Sequence, residues 1–300
     1  MKELKKPLSY EEQIDTLINK HQLTISDSTF ALNVLSKIGY YRLSGYGYGL
    51  KEKDNKEIFI SGVSIENLYE IYKFDSLFKN ALFNIIEQIE VQIRTQIGDY
   101  MANKYGALCY LDKCFFDDLN NKEGKSIHDK IINNFKKECK RQQSLPFVQH
   151  YIKDYNNRFP IWVAFELFTF GNLSSFYDIM KDADKMEISK LYNCKKSFIL
   201  KSWLLSLVEV RNICAHYTRL YNIPLKQTPF LFKENIKYRQ KVNKVFPILL
   251  VIKRMLNGDE RWEHFLSRIK SIISQYRNSI RLSYMGFPSN WEEVLHSWYL

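Results

Sequence analysis

The chain has 300 residues, 45% of them apolar and 15% aromatic, enough to bury a sizeable core and too many for a disordered tail. Forty-four basic against thirty-three acidic residues give a net charge of +11. Five cysteines, odd in number and without a CxxC pair, argue against a disulfide framework and against a zinc site, and no GxxxxGK[ST] or GxGxxG motif supports nucleotide binding. The opening "MKELKKPLSYEEQ" turns polar at once, and the apolar run around "FPILLVI" is too short to span a bilayer. A soluble cytoplasmic protein without a membrane partner is therefore expected.

Helical periodicity runs through most of the chain. "YEEQIDTLINKH" (10–21) predicts a short amphipathic helix, and "SDSTFALNVLSKI" (26–38) a second, opened by Ser26 or Asp27 as N-cap. Four glycines interrupt the pattern across "GYYRLSGYGYGL" (39–50), and a short strand fits "EIFI" (57–60). From Ser64 to Lys104 only Gly98 breaks the helical pattern, so one very long helix or two in line are expected. Residues 112–144 predict a loop and a surface helix at 126–140, followed by helices near 146–155, 160–169, 172–180 and 184–192. A helix over 196–219 must end before Pro224. Further helices are expected at 233–256, with Pro247 as a break or kink, at 260–281, and in the closing "PSNWEEVLHSWYL". The expected fold is all-α: a small N-terminal helical and Gly-Tyr segment (1–60) on a helical bundle with basic C-terminal helices (61–300).

The charge is uneven. Residues 1–80 hold eleven basic and eleven acidic side chains, whereas residues 226–285 hold thirteen and four. Such a surplus suits a polyanion such as nucleic acid, and equally a solvated basic surface. Lys237, Arg239, Lys241, Lys244 and Arg254 are its candidate RNA contacts. In "YYRLSGYGYG" tyrosines surround an arginine, and Tyr41 and Arg42 could stack a base and touch phosphate. The same segment could instead be a packed loop with a structural arginine, the favoured reading.

"EVRNICAHYTRLYN" (209–222) places Arg211, Asn212 and His216 in an otherwise apolar helical pattern. At about 100° per residue, Ser202, Ser206, Glu209 and His216, with Asn212 and Arg219 more loosely, fall on one polar stripe. Asn212 and His216 are i and i+4, so their side chains could meet. Arg211 lies about 140° away on the apolar side, where a guanidinium needs an anion. Either Glu87 or Glu90 of the long helix, or a phosphate, could supply it. Glu90 and Arg94 at i and i+4 read as a salt-bridged face, and no histidine or aspartate cluster stands nearby at ligand spacing, so no metal and no cofactor are expected. Trp162, Glu166 and Phe170 read as core with one satisfied carboxylate.

"RNICAHYTRLYN" resembles the signature of AbiF/AbiD-type abortive-infection proteins of the HEPN superfamily of helical ribonucleases. "YEEQIDTLINKH", "IGYYRLSGY", "IYKFDSLFKNALFNIIEQIEVQIRTQI" followed by "KYG", and "FPIWVAFELFTFGNLSSFY" resemble further segments of that family, in order, over nearly the whole chain. The family commonly carries a second histidine where Tyr217 stands and tryptophan where Tyr221 stands. The resemblance implies a HEPN-type bundle and an antiphage endoribonuclease that cuts RNA without a metal. Arg211 would stabilise phosphate charge, His216 would transfer protons, Asn212 would orient the imidazole or bind phosphate, and Arg219 would be a further RNA contact. Because only one motif copy is present, the resemblance also implies a homodimer with a composite site, and a bound non-coding RNA as restraint. The alternatives are a catalytically weak RNA-binding module or scaffold, or a toxin restrained by a protein antitoxin.

Overall fold

The computed structural model describes residues 4, 6–117, 119–121, 123–239 and 243–297. The helices, in chain order, are α1 (Tyr10–Asp15), α2 (Ser28–Ile38), α3 (Tyr40–Gly45), α4 (Ile65–Tyr105), α5 (Ile127–Arg141), α6 (Pro146–Asp154), α7 (Ile161–Ala164), α8 (Phe170–Ile179), α9 (Asp182–Lys190), α10 (Ser197–Ala215), α11 (Phe246–Met255), α12 (Glu260–Tyr276) and α13 (Trp291–His296). No strand forms among the described residues; the segment at 57–60 contributes only an isolated bridge between Lys51 and Phe59. The all-α expectation holds.

The organising element is α4, a single helix of 41 residues, about 60 Å long. A reciprocal cap between Ser64 and Asn67 opens it, and Gly106 at φ +93° closes it. Gly98 does not break it. A Cβ there would lie 3.5 Å from the Phe165 ring and 4.0 Å from the Trp162 backbone, so the missing side chain is where the α7 segment crosses closely. α4 buries Ile71, Phe74, Phe78, Leu82, Ile86, Ile93 and Ile97 against α10, α12 and α7, and α8 packs on α10 and α5.

A second, smaller apolar cluster joins Ile14, Leu17, Leu23, Ala31, Val34, Leu35, Leu43 and Phe59 to Ile65 and Leu68 at the start of α4. Gly39 at φ +83° separates α2 from α3, which the glycine-rich reading did not foresee as helical. Beyond it, a Cβ on Gly47 would overlap the Phe59 ring. The N-terminal segment is thereby folded back against the first turns of α4.

Three expectations need correction. The pattern at 160–169 gives α7 and one 3-10 turn, Phe165–Leu167, and not a continuous helix; Trp162 and Glu166 are exposed, and only Phe170 of that trio is core. The described residues 233–239 and 243–245 do not form the first half of a long helix: Lys233–Tyr238 is a 3-10 segment, and Pro247 sits in the first turn of α11, where its missing N–H has no intrahelical partner to lose. The motif helix α10 ends at Ala215, four residues before the expected 219.

Candidate nucleic-acid interface around the motif helix

α10 buries Leu200, Trp203, Leu204, Leu207 and Val210 in the core. Its polar stripe fastens the chain that follows. Ser202 accepts a hydrogen bond from the Phe230 N–H (2.9 Å), and the Glu209 carboxylate accepts from the N–H groups of Lys226 (2.8 Å) and Gln227 (2.7 Å).

Arg211 takes the structural anion that the sequence offered. Its Nε and Nη2 donate to the Glu90 carboxylate at 3.2 and 3.1 Å, and its Nη1 donates to Asn212 Oδ1 at 3.1 Å. Glu90 is buried and also accepts from Arg94 at 2.8 Å, so one carboxylate on α4 serves two guanidinium groups. The Arg211 side chain retains 23% exposure.

His216 lies outside the helix. It is the C-cap, and Tyr217 follows at φ +55°. The Thr218 N–H donates to the Ile213 carbonyl (3.0 Å) and the Tyr217 N–H to that of Cys214 (3.2 Å), the paired closure of a Schellman motif. Glycine usually occupies this left-handed position; a residue with a Cβ pays about 1–2 kcal/mol for it. Arg211 and His216 thus face apart, as their spacing of about 140° on the helix requires: Arg211 is on Glu90 and His216 in the loop. Asn212 Oδ1 is taken by Arg211, and no side-chain hydrogen bond joins Asn212 to His216 among the described residues.

The loop after His216 is anchored by a buried charge that the sequence reading passed over. Asp75 is fully buried and accepts from the Tyr46 hydroxyl (2.8 Å) and from the N–H groups of Leu220 (3.2 Å) and Tyr221 (2.7 Å). Lys79, one turn on, pairs with Asp75 at 3.1 Å and donates to the Thr218 carbonyl at 3.0 Å. Burial first, and then the Asp75 charge, raise the Tyr46 hydroxyl well above its usual range, so it remains a donor. The signal was available: Asp75 shares a helix face with Ile71, Phe74, Phe78 and Leu82, where a carboxylate is out of place. The two anchors separate the motif residues. Arg211 is tied at Glu90 and the loop at Lys79, eleven residues apart on α4, or about 16 Å.

Between that loop and the N-terminal segment lies a cleft of about 920 Å³, near the upper end of the roughly 300–1,000 Å³ of small-ligand pockets. Its cations are Arg42, Lys51, Lys56 and Arg219, and its imidazoles are His21 and His216. Tyr40, Tyr41, Tyr46, Tyr48 and Tyr217 supply rings, and among the described residues no carboxylate side chain lines it. Arg42 Nη1 donates to the Tyr217 carbonyl at 2.9 Å, across 175 positions of sequence, so the structural-arginine reading holds for part of its fork. Tyr41 is 92% exposed, which fits stacking better than packing. Arg219 sits over the Tyr46 ring at 6.0 Å. Burial lowers the Lys51 ammonium from its usual range, with Glu57 opposing.

Four sequence candidates thus meet in the cleft: Tyr41, Arg42, His216 and Arg219. Lys244 stands at the rim, its Nζ 3.4 Å from Asn222, whose amide donates to the Tyr48 carbonyl; burial and then Arg219 lower its ammonium. Arg211 and Asn212 do not line the cleft, and neither do Lys237, Arg239 or Arg254. Lys237 and Arg239 are exposed, on and just after the 3-10 segment. Arg254 is bound to Glu234 at 2.9 Å and stacked on Phe232 at 4.0 Å, which makes it a poor RNA contact. Lys241 lies outside the described residues. Among the described residues, no group of three His, Cys, Asp or Glu side chains could hold a metal ion, and no helix is long and apolar enough to cross a membrane.

The cleft gathers cations, aromatic rings and an exposed imidazole, a set of groups whose chemistry suits a polyanion. No curated protein and no solved structure matches the chain. One family model does, that of the Abi-like proteins, over residues 33–222, a span that holds the cleft residues Tyr41, Arg42, His216 and Arg219 as well as Arg211. The chain belongs to the Abi-like family, which points to abortive infection, a form of phage defence.

Proposed function

We propose that this protein is a HEPN-type endoribonuclease of phage defence, with His216 as its proton-transferring group and the cationic cleft as its RNA seat. One observation carries the reading: an exposed imidazole on a strained turn stands in a cleft that, among the described residues, holds four cations, five tyrosines and no carboxylate. An imidazole changes charge near neutral pH and so can move a proton there. The 2′-hydroxyl attacks the adjacent phosphorus, and the 5′-oxygen leaves, giving a 2′,3′-cyclic phosphate and a 5′-hydroxyl. Guanidinium groups match the charge growing on the phosphate oxygens, so the chemistry proceeds without a metal. Arg211 of the same chain is tied to Glu90, away from the cleft. The Arg211 of a second copy, which keeps 23% exposure beside its own Glu90, reaches the scissile phosphate in a homodimer with a composite site. A non-coding RNA held by the basic surface is the restraint such a toxic activity requires.

The Glu90–Arg211 pair favours a second reading, an RNA-binding module in which Arg211 is structural and cleavage is absent. End-labelled RNA incubated with the purified protein in EDTA separates the two. The ribonuclease reading expects fragments ending in 2′,3′-cyclic phosphate, with His216→Ala and Arg211→Ala each about 100-fold or more slower and RNA binding retained. Cleavage that survives both substitutions overturns it. RNA that co-purifies and is never cut supports the module. A strict monomer with and without RNA, by light scattering, removes the composite site.

A further inference from the structure

The cleft holds two imidazoles, and only one has been given a task. His21 follows the first helical segment as its C-cap, is half-buried, and lines the same cleft as His216 from the opposite end of the sequence. Its Nδ1 lies 2.7 Å from the main-chain carbonyl oxygen of Glu57. A carbonyl only accepts, so Nδ1 carries the proton and the neutral ring presents a bare lone pair at Nε2. No hydrogen bond occupies that Nε2 among the described residues. The Phe59 N–H donates to the His21 carbonyl at 2.9 Å and holds its backbone in place, and Lys51 and Lys56 line the same cleft. Glu57, whose main-chain carbonyl meets Nδ1, has its carboxylate paired with Lys20 at 3.4 Å and does not line the cleft. A tautomer fixed at one nitrogen and an unengaged second nitrogen, on a residue that lines the cleft, are what a general base needs.

We propose that His21 is the second proton-transfer group of the site, the base that partners His216 as acid; this rests on the ribonuclease reading above. Nε2 of His21 takes the 2′-hydroxyl proton as the 2′-oxygen bonds to phosphorus. The bond from phosphorus to the 5′-oxygen breaks, and that oxygen takes a proton from the His216 imidazolium. No oxidant, reductant or water is consumed. His21 ends protonated and His216 neutral, and exchange with solvent resets both. The substrate class is RNA with a free 2′-hydroxyl at the cleavage position, and the N-terminal segment becomes part of the active site and not an accessory to it.

The test uses His21→Asn in the full chain. The asparagine amide reaches the Nδ1 position and keeps the donor to the Glu57 carbonyl, while Nε2 is lost; His21→Gln serves as a second variant if the first folds poorly. Both are assayed with His216→Gln on ordinary RNA and on RNA whose scissile 5′-oxygen is replaced by sulfur, a leaving group that needs no proton. The expected result is a loss of about 100-fold or more for His21→Asn on both substrates, with RNA affinity within about threefold of the parent. His216→Gln should be equally slow on ordinary RNA and rescued by the sulfur substrate. His21→Asn cutting at the parental rate while His216→Gln is dead overturns the inference and leaves the ribonuclease reading intact. Rescue of His21→Asn by sulfur reverses its role and overturns the assignment, as does a variant whose only defect is RNA affinity. A parent chain that cuts neither substrate overturns both.

Discussion

Replacing Asp75 by alanine should be among the most damaging single changes in the protein, although Asp75 touches no proposed substrate. The carboxylate is fully buried and takes four donors: the Lys79 ammonium at 3.1 Å, the Tyr46 hydroxyl at 2.8 Å, and the N–H groups of Leu220 and Tyr221 at 3.2 and 2.7 Å. Its removal leaves a buried ammonium with only the Thr218 carbonyl at 3.0 Å. Breaking a buried ion pair by deleting one partner costs about 3–5 kcal/mol, and each buried donor left bare adds about 1–3 kcal/mol before water or relaxation relieves it. Taking only the ion-pair term, at about 2 °C per kcal/mol for a chain of this size, Tm should fall by about 6–10 °C. Asp75→Asn keeps an acceptor for the two amides and should lose about half as much. Lys79→Met leaves the carboxylate with three donors, so it should cost less than Asp75→Ala, and the double variant should cost less than the two singles together. Thermal melts followed by circular dichroism measure all four proteins. A fall below about 2 °C for Asp75→Ala, or strict additivity in the cycle, would refute the claim that this pair anchors the His216 loop.

The cleft cations make a separate prediction: Arg42→Ala and Arg219→Ala should each weaken RNA binding and reduce the slope of log affinity against log salt by about one, measured by titration between low and moderate salt. Arg254→Ala should leave that slope unchanged, because its charge is spent on Glu234. Alkaline pH makes another. Burial pushes the thiols of Cys109 and Cys139 up to about 11 and those of Cys194 and Cys214 up to about 12, from an ordinary 9. The unfolded chain sheds these protons first, so the stability they confer is complete below pH 9 and is lost as pH rises through 11 and 12. Lys51, Lys244 and Lys253, whose ammonium groups burial lowers, the last to about 8, act in the opposite sense, but they are three groups against four thiols and the Tyr46 and Tyr221 hydroxyls, which burial also raises. The urea midpoint should therefore fall between pH 9 and pH 11; a midpoint that holds or rises over that range contradicts the sign.

The helices were legible because apolar spacing and end signals are local. Asp27 caps α2 through the Phe30 N–H at 3.0 Å, and Ser64 opens α4, both at positions the sequence marks. What was not legible depends on partners far along the chain. Residues 233–245 carry no glycine or proline to forbid a helix, yet the preceding stretch is drawn out along α10 by Glu209, by Ser202 and by the Trp203 Nε1 donating to the Phe230 carbonyl at 2.8 Å. These bonds outweigh a modest propensity. The end of α10 shows the same limit more sharply. Nothing in "CAHYT" announces a left-handed residue, since tyrosine is a poor choice there, and the turn is held from outside by Arg42 on the Tyr217 carbonyl and by Lys79 on that of Thr218. The left-handed Tyr217 turns the chain only after His216, so the roughly 140° that the wheel puts between Arg211 and His216 stands, and the two face different environments. The motif spacing marks the segment, and the surroundings of each residue come from elements far along the chain. In a single chain, the partners of His216 are Tyr41, Arg42 and Arg219 in the cleft, and the partner of Arg211 is Glu90. Any chemistry that needs Arg211 and His216 on one phosphate must therefore bring in a second molecule or break the Glu90 pair.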